Sequence, residues 1–526
     1  MGKGKKKAGG AASGAGGVRD QKAVRAAVET IVNDAVQLQD SASDLPAPQA
    51  LAALQAAAAK YREALARLPR HAEAAYNLAT CLSEQADSDL NPGMREQMAL
   101  LSESRSLLES IIKADTSGRG ATTALAHHAL GNVICAVVQV LEDQGPTAQC
   151  ADGSVGCSSA AARKEDLSLA CRHFEASVSI TKRLQNHRGE AEEVLIRWGD
   201  ALSSMMQILM DDGATAERSS GEHPPPSSLV QEALGLCSNA CSKYSEALAS
   251  ETSSEGSDTD ILRLKAGTVV NFLDWALPEA LPQQAPIGGS AQYVGFPAEE
   301  ILAAGDEAVQ ALLALDESNM DGMLAKADLR RLRARTSMLS GTSVQEEGAR
   351  REESVAWFAR AVAGFPQDAG VLAAAGEGLL EYGRRSMALY QEVATSSVGQ
   401  SPYGSGSVPG PAAPHVEGMR MSAIARLQEA GRLLSEACSF DVSDANSPYN
   451  AACAFALAGD HGSCFRALSE YCRRLTLAAG GSSGKREAAR RSLREASSDV
   501  DLEGARGAPW FVDLLRGTDA ALVGSG

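Results

Sequence analysis

The chain has 526 residues, and 66 acidic against 49 basic side chains leave a formal charge of −17, spread along its length, which argues against a general nucleic-acid binder. Apolar residues make up 44 %, enough for a large core, but aromatics are few (9 Phe, 9 Tyr and 4 Trp, 22 in all), which argues against an enzyme-like α/β core; the excess of Ala and Leu is a helical composition. Length alone would suggest several domains of about 100–200 residues, a rule that fails for repeat proteins, which grow by addition.

In chain order, residues 1–18 read as a disordered basic tail: Lys3, Lys5, Lys6 and Lys7 stand among Gly and Ala, with no apolar run for secretion and with Lys6 where myristoylation asks for Ser or Thr. Four such charges would give at best a salt-sensitive contact with RNA or an anionic surface. From residue 19 to 477 the chain reads as helices carrying a recurring pattern: a small residue, an aromatic four later, a small residue three after that, then a turn. It runs through Ala57, Tyr61, Ala64 and Pro69; Ala170, Phe174 and Ser177; Ala240, Tyr244 and Ala247; and Ser354, Phe358, Ala361 and Pro366. Weaker copies occur at Ser104, Leu108 and Ile111, at Ala304, Ala308 and Ala311, and at Ala430, Leu434 and Ala437. A second pattern, an apolar residue followed by Gly or Ala and another apolar residue three later, precedes each: Leu78, Ala79 and Leu82; Leu130, Gly131 and Ile134; Trp198, Gly199 and Leu202; Ala375, Gly376 and Leu379. Residues 478–526 read as a linker, a basic amphipathic helix near 486–497 and a cap in which Trp510, Phe511, Leu514 and Leu515 cover the last apolar surface.

With these residues the chain resembles the tetratricopeptide repeat family, most closely at AEAAYNLATCL (72–82) and SPYNAACAFALAGD (447–460). The resemblance implies an all-α, right-handed superhelical solenoid of about seven to eight helix pairs, A and B, and a non-enzymatic scaffold or adaptor. Spacing from each B helix to the next A stays at 15–22 residues, whereas the A-to-B spacing swells to 32–61 before returning to 19 between Ala452 and Tyr471. The extra residues therefore accumulate along one edge of the stack. By composition, 145–161, 213–228, 281–292 and 396–414 are loops, too rich in Gly, Ser and Pro to offset their ordering entropy.

No catalytic, cofactor or metal constellation stands out, so the chain is read as no enzyme. His127 and His128 are adjacent and point about 100° apart on a helix. Cys237 and Cys241 share a helix face without further ligands at zinc-site spacing. The GGSSGKR stretch at 480–486 lacks the first Gly and the Ser or Thr of a phosphate loop. Eleven scattered cysteines read as reduced, buried thiols of a cytoplasmic or nuclear protein, and no run of about 18 apolar residues suggests a membrane span, the nearest being Val133 to Leu141.

The resemblance places Asn77, Arg197, Lys265, Asn271 and Asn450 in the concave groove, where polar donors would hold a partner peptide. It does not extend to the two-carboxylate clamp of co-chaperones: Asn77 matches its middle position, but Leu125 and Ala129 stand where Lys and Arg are needed, and the helix around Gln21 to Gln37 has no Lys-x3-Asn pair in register. Against the acidic background, Lys326, Arg330, Arg331, Arg333 and Arg335 form a basic cluster, with a core position of the repeat falling on Arg330. This cluster is read either as docking an acidic segment or as paired internally with Glu346, Glu347, Glu352 and Glu353. The expected partner is another protein, through a basic client or an extended peptide, as an adaptor or assembly chaperone; the alternative is a permanent subunit of a large complex.

Overall fold

A computed structural model describes residues 14–87, 90, 93–115, 120–143, 159–184, 188–220, 227–250, 255–277, 297–339, 343–398, 412–480 and 483–524. Within them the chain is all-α, a succession of helices packed on their neighbours in the sequence.

Two compact units divide it. The first, residues 1–222 and 231–261, holds α1 (Gly14–Ala42), α2 (Ala47–Arg67), α3 (Ala72–Gln85), α4 (Met94–Ala114), α5 (Ala121–Asp143), α6 (Ala160–Arg183), α7 (Arg188–Ser220), most of α8 (Ser227–Leu248) and the start of α9 (Glu255–Ala276). The second, residues 223–230 and 262–526, continues with the rest of α9, then α10 (Ala298–Leu315), α11 (Met320–Leu339), α12 (Val344–Gly364), α13 (Ala369–Val398), α14 (Ala412–Phe440), α15 (Asn446–Leu457) and α16 (His461–Ala479), and closes with α17 (Ser483–Ser498), a 3-10 turn at Val500–Leu502, α18 (Glu503–Arg506) and α19 (Pro509–Gly524). The helices begin where side chains take up free backbone N–H groups: Ser159 accepts from Ala162, Ser343 from Glu346 and Asp460 from Ser463. Past α15 the chain turns through Gly459 at φ 77, a conformation that suits glycine.

The first sixteen helices form eight A/B pairs, odd helices being A and even helices B. Within each unit the backbones of odd helices also approach the next odd helix (α1 with α3, α3 with α5, α5 with α7; α11 with α13, α13 with α15), whereas successive even helices are linked by side-chain ion pairs such as Arg62–Glu103, Lys182–Glu246 and Arg426–Glu352. The odd layer is therefore the crowded, inner side of each unit.

The two sequence patterns meet where they should. A Cβ at Gly199 would stand 2.5 Å from the Tyr244 ring and one at Gly376 2.5 Å from Leu434; one at Gly131 would collide with the Phe174 ring. The small residue is thus the recess, and the aromatic or leucine four after the B-helix small residue is the knob. Where the small residue is Ser, its hydroxyl crosses the interface as well: Ser104 donates to the Ala79 carbonyl at 2.7 Å, Ser177 to Ala124 at 2.8 Å and Ser354 to Ala327 at 2.8 Å.

Several expectations need correction. Residues 14–18 are the first turns of α1 rather than tail, and α7 runs on through 213–220, part of a stretch read as loop, because Ala, Thr, Glu and Arg there can extend the preceding helix. Residues 160–161, 227–228, 396–398 and 412–414 likewise belong to α6, α8, α13 and α14, and Ser159 caps α6. The remainder of those insertions, 145–158, 221–226, 281–292 and 399–411, lies outside the described residues, as does the tail before residue 14. The core position placed on Arg330 belongs to its neighbour: Leu329 and Leu332 are buried. One helix, 121–142, is long and apolar enough for a membrane span by composition (mean hydropathy 1.6). It packs on α4 and α6, with Leu130, Val133, Ile134 and Val138 buried there, so the same apolar content serves the core.

At the C-terminal end, Ala489, Leu493 and Ala496 of α17 and Phe511 of α19 are buried in one cluster with Leu468 and Tyr471 of α16. Trp510 packs edge-on against Phe465 at 5.2 Å.

Candidate partner-binding face

Two of the expected groove residues lie in the first unit. Asn77 of α3 is half-buried and hydrogen-bonds the Tyr61 hydroxyl, which itself donates to Gln39 Oε1 at 3.0 Å. Arg197 of α7 is exposed, and its guanidinium reaches Asp200 only at 3.8 Å. Asp200 accepts the Tyr244 hydroxyl at 2.9 Å, and burial pushes its carboxyl up.

Lys265, Asn271 and Asn450 lie in the second unit, as does Arg331 of the basic cluster. Asn271 of α9 is exposed. Lys265, one and a half turns earlier, is not a groove donor: it is 7 % exposed, with Nζ 3.9 Å from Glu307. Its long stem lets it sit within the helix packing while the ammonium reaches outward. With one exposed and distant partner, that ammonium gains little from its charge. Lys265→Met is therefore expected to leave the thermal unfolding midpoint unchanged or to raise it; a loss of several degrees would show that the charge is needed.

Arg331 of α11 is also withdrawn from the solvent. It binds Asp274 of α9 at 2.9 Å, Asp328 at 2.9 Å and Glu381 of α13 at 2.6 Å. Beside it Arg335, 1 % exposed, holds Glu381 through Nε at 2.9 Å and Nη2 at 2.6 Å and donates to the Leu277 carbonyl at 3.1 Å. Arg351 links Glu347 at 3.0 Å to Glu381 at 3.3 Å, and Arg385 holds Glu347 at 3.1 Å. Four guanidinium groups and the four carboxylates of Asp274, Asp328, Glu347 and Glu381 thus form one charge-balanced network across α9, α11, α12 and α13. Burial would push the Glu381 carboxyl up, but Arg335, Arg331 and Arg351 hold it well below the usual range. Burial would likewise lower the Arg331 guanidinium, but Asp328, Glu381 and Asp274 hold it well above.

The remaining cations of the basic cluster are committed too. Lys326 binds Asp306 at 2.8 Å, Arg333 binds Asp306 at 2.6 Å, and Arg330 lies 3.3 Å from Glu353. This corrects the reading of Arg331, Arg333 and Arg335 as a docking patch: the positive charge is consumed inside the unit. Of the acids expected to pair with it, Glu353 takes Arg330 and Glu347 joins the network through Arg351 and Arg385, whereas Glu346 binds Arg350 and Glu352 binds Arg426.

Outside that network the inner layer of the second unit carries Asn271, Asn450 and Glu377. Asn450 of α15 donates to Glu377 of α13 at 2.9 Å. Glu377 is exposed, yet the low-dielectric surroundings push its carboxyl up, against the pull of Asn450 and Arg331. Burial raises Asp328 in the same way, and Asp274 and Glu381 add to the effect. Asn271 and Asp274, Asp328, Glu377 and Asn450 therefore follow one another along α9, α11, α13 and α15. Sequence reasoning found the two asparagines and missed the three carboxylates; their only signal was position, three residues from a groove position on the same helix or at its counterpart on the next.

One cluster has metal-ligand chemistry: Cys453, Asp499 and Asp501 place their sulfur and oxygens within 4.8 Å of one another. Its donors are already engaged, since Tyr449 bonds to Asp499 and Arg384 to Asp501, and burial pushes the Cys453 thiol up, opposing the thiolate a metal needs. Cys81, Cys171 and Cys464 are likewise pushed up to about 11 by burial, which makes them inert thiols.

No protein-family model matches the chain, and no curated protein matches it. Among solved structures it is similar to a monomeric IFIT1 mutant bound to m7Gppp-AAAA (14 % identity, 86 % of this chain and 89 % of that one, TM-score 0.21). It is similar also to Naa15 in the Naa15/Naa10 complex bound to HypK-THB (12 %, 94 % and 88 %, TM-score 0.17) and to yeast Tom70 (11 %, 90 % and 99 %, TM-score 0.16). At such scores these likenesses carry no inference about function.

Proposed function

We propose that the chain is a non-enzymatic protein-binding scaffold, of the adaptor or assembly-chaperone kind, acting in the cytoplasm or nucleus and receiving an extended basic segment along the inner face of its second unit. The observation that carries this reading is the row of Asn271, Glu377 and Asn450 on α9, α13 and α15, in which Glu377, pushed up by its low-dielectric surroundings and accepting from the neutral Asn450 amide, gains from a nearby cation. The amides would hold a peptide's backbone while the acid selects Lys or Arg, with charge setting specificity and encounter rate more than affinity.

Binding of Lys- and Arg-rich fluorescent peptides to the full chain tests this. The expected affinity falls steeply with salt and drops at least about tenfold in Glu377→Lys combined with Asn450→Ala. Equal binding of acidic and basic peptides, or no effect of the two changes, would overturn the reading.

A further inference from the structure

We propose that His127 and His173 form a proton-linked latch between α5 and α6, closed while a single proton lies between their Nδ1 atoms and opened when both rings are protonated. The two Nδ1 atoms lie 2.8 Å apart, and the ring centroids are 5.1 Å apart with planes tilted by 34°. That is two imidazoles meeting nitrogen to nitrogen rather than stacking. In such a contact one nitrogen donates and the other must accept, so a second proton removes the acceptor and sets two N–H groups of like charge against each other.

The surroundings offer the doubly charged state little relief. From α4, Arg105 and Glu109 face the pair and are bonded to each other at 2.9 Å; Arg172 stands beside it on α6. On α5, His128 turns away to Asn132 at 3.2 Å. From α7, Arg197 and Asp200 act farther along α5, at Cys135. On α3 the acids stand at the ends, Glu73 in the first turn and Glu84 held by Gln39. Consistent with this, burial first and then the His127 charge push His173 down to about 4, and burial lowers His127.

The sign follows. The unfolded chain takes up these protons near pH 6.5, whereas in the folded unit both rings resist them, His173 down to about pH 4, so stability is full above about 6.5 and declines as pH falls below it. The latch also adjoins a recess-and-knob contact: His173 precedes Phe174, and His127 lies one turn before Gly131, which receives the Phe174 ring. Opening it loosens the α5–α6 packing.

Hydrogen–deuterium exchange of the full chain at pH 7.5 and 5.0, corrected for the intrinsic rate, tests the latch in peptides covering 121–143 and 160–183. The wild type is expected to lose at least about tenfold in protection on acidification relative to α2 and α3, and His127→Gln and His173→Gln each to show a clearly smaller response. An equal response in wild type and variants, or none in the wild type, would overturn it. Should either variant fail to fold, the His173 ring-proton titration of the wild type decides: a midpoint below 5 supports the latch, and one near 6.5 refutes it.

Discussion

Glu381→Ala is expected to destabilise the second unit by about 3–5 kcal/mol, because it removes the carboxylate that Arg331, Arg335 and Arg351 share and leaves the buried network with one more positive than negative charge. Arg335 is the most consequential of the three: at 1 % exposure it has no route to solvent once its bidentate partner is gone, and its remaining bonds go to Asp274 and to backbone carbonyls. Urea unfolding followed by helical circular dichroism would measure the loss, and Glu381→Gln, which keeps shape but not charge, should lose nearly as much. A cost below about 1 kcal/mol for both would mean that the network is solvated and behaves as surface ion pairs do. The pH dependence has a definite sign. Because Glu381 is held below its ordinary range, its contribution is complete above the unfolded value of about 4.3 and is lost as pH falls toward the folded one, so the wild type should resist moderate acid better than the Gln variant only while that carboxylate stays ionised.

Phe174→Ala should cost about 3–5 kcal/mol in the first unit, since it deletes a fully buried ring and leaves the recess over Gly131 empty. The opposite change tests the same contact. Gly131→Ala introduces a methyl where the ring already stands and should cost about 1–3 kcal/mol through overpacking. Combined, the two should cost less than their sum, because the added methyl occupies part of the space the ring has vacated. Strict additivity would show that the residues do not share one interface.

These contacts explain why the architecture was legible in the sequence. An aromatic or leucine and a glycine that must meet across an A/B pair leave a mark at fixed spacing, and Phe174, Tyr244 and Leu434 fall on Gly131, Gly199 and Gly376 as that spacing implies. The candidate face was only partly legible. Asn271 and Asn450 could be placed from helix register alone, but whether a charged groove position is free depends on residues far along the chain. The density of cations around Arg331 is plain in the sequence; that Asp274 lies on α9 and Glu381 on α13, within reach of the same guanidinium, is not. Lys265 was misplaced because its position lies at the edge of the groove register, where a small rotation turns a side chain inward, and its aliphatic stem tolerates burial. His127 and His173, 46 residues apart, carry no shared motif, so only the packing of α5 on α6 brings them together.

The internal pairing of the basic cluster also sharpens the choice of partner. With Arg331, Arg333 and Arg335 paired to Glu381 and Asp306, the cluster has little positive charge left to offer an acidic segment. The most direct measurement is affinity capture of the full chain from native lysate with cross-linking and mass spectrometry, comparing wild type with a variant carrying Asn271→Ala, Glu377→Lys and Asn450→Ala. A salt-labile partner that cross-links through a Lys- or Arg-rich segment to α11, α13 or α15 and is lost in the variant is the expected result. Stoichiometric partners that survive the change and cross-link instead beside the inserted segments would contradict it and mark the chain as a structural subunit held by its loop edge.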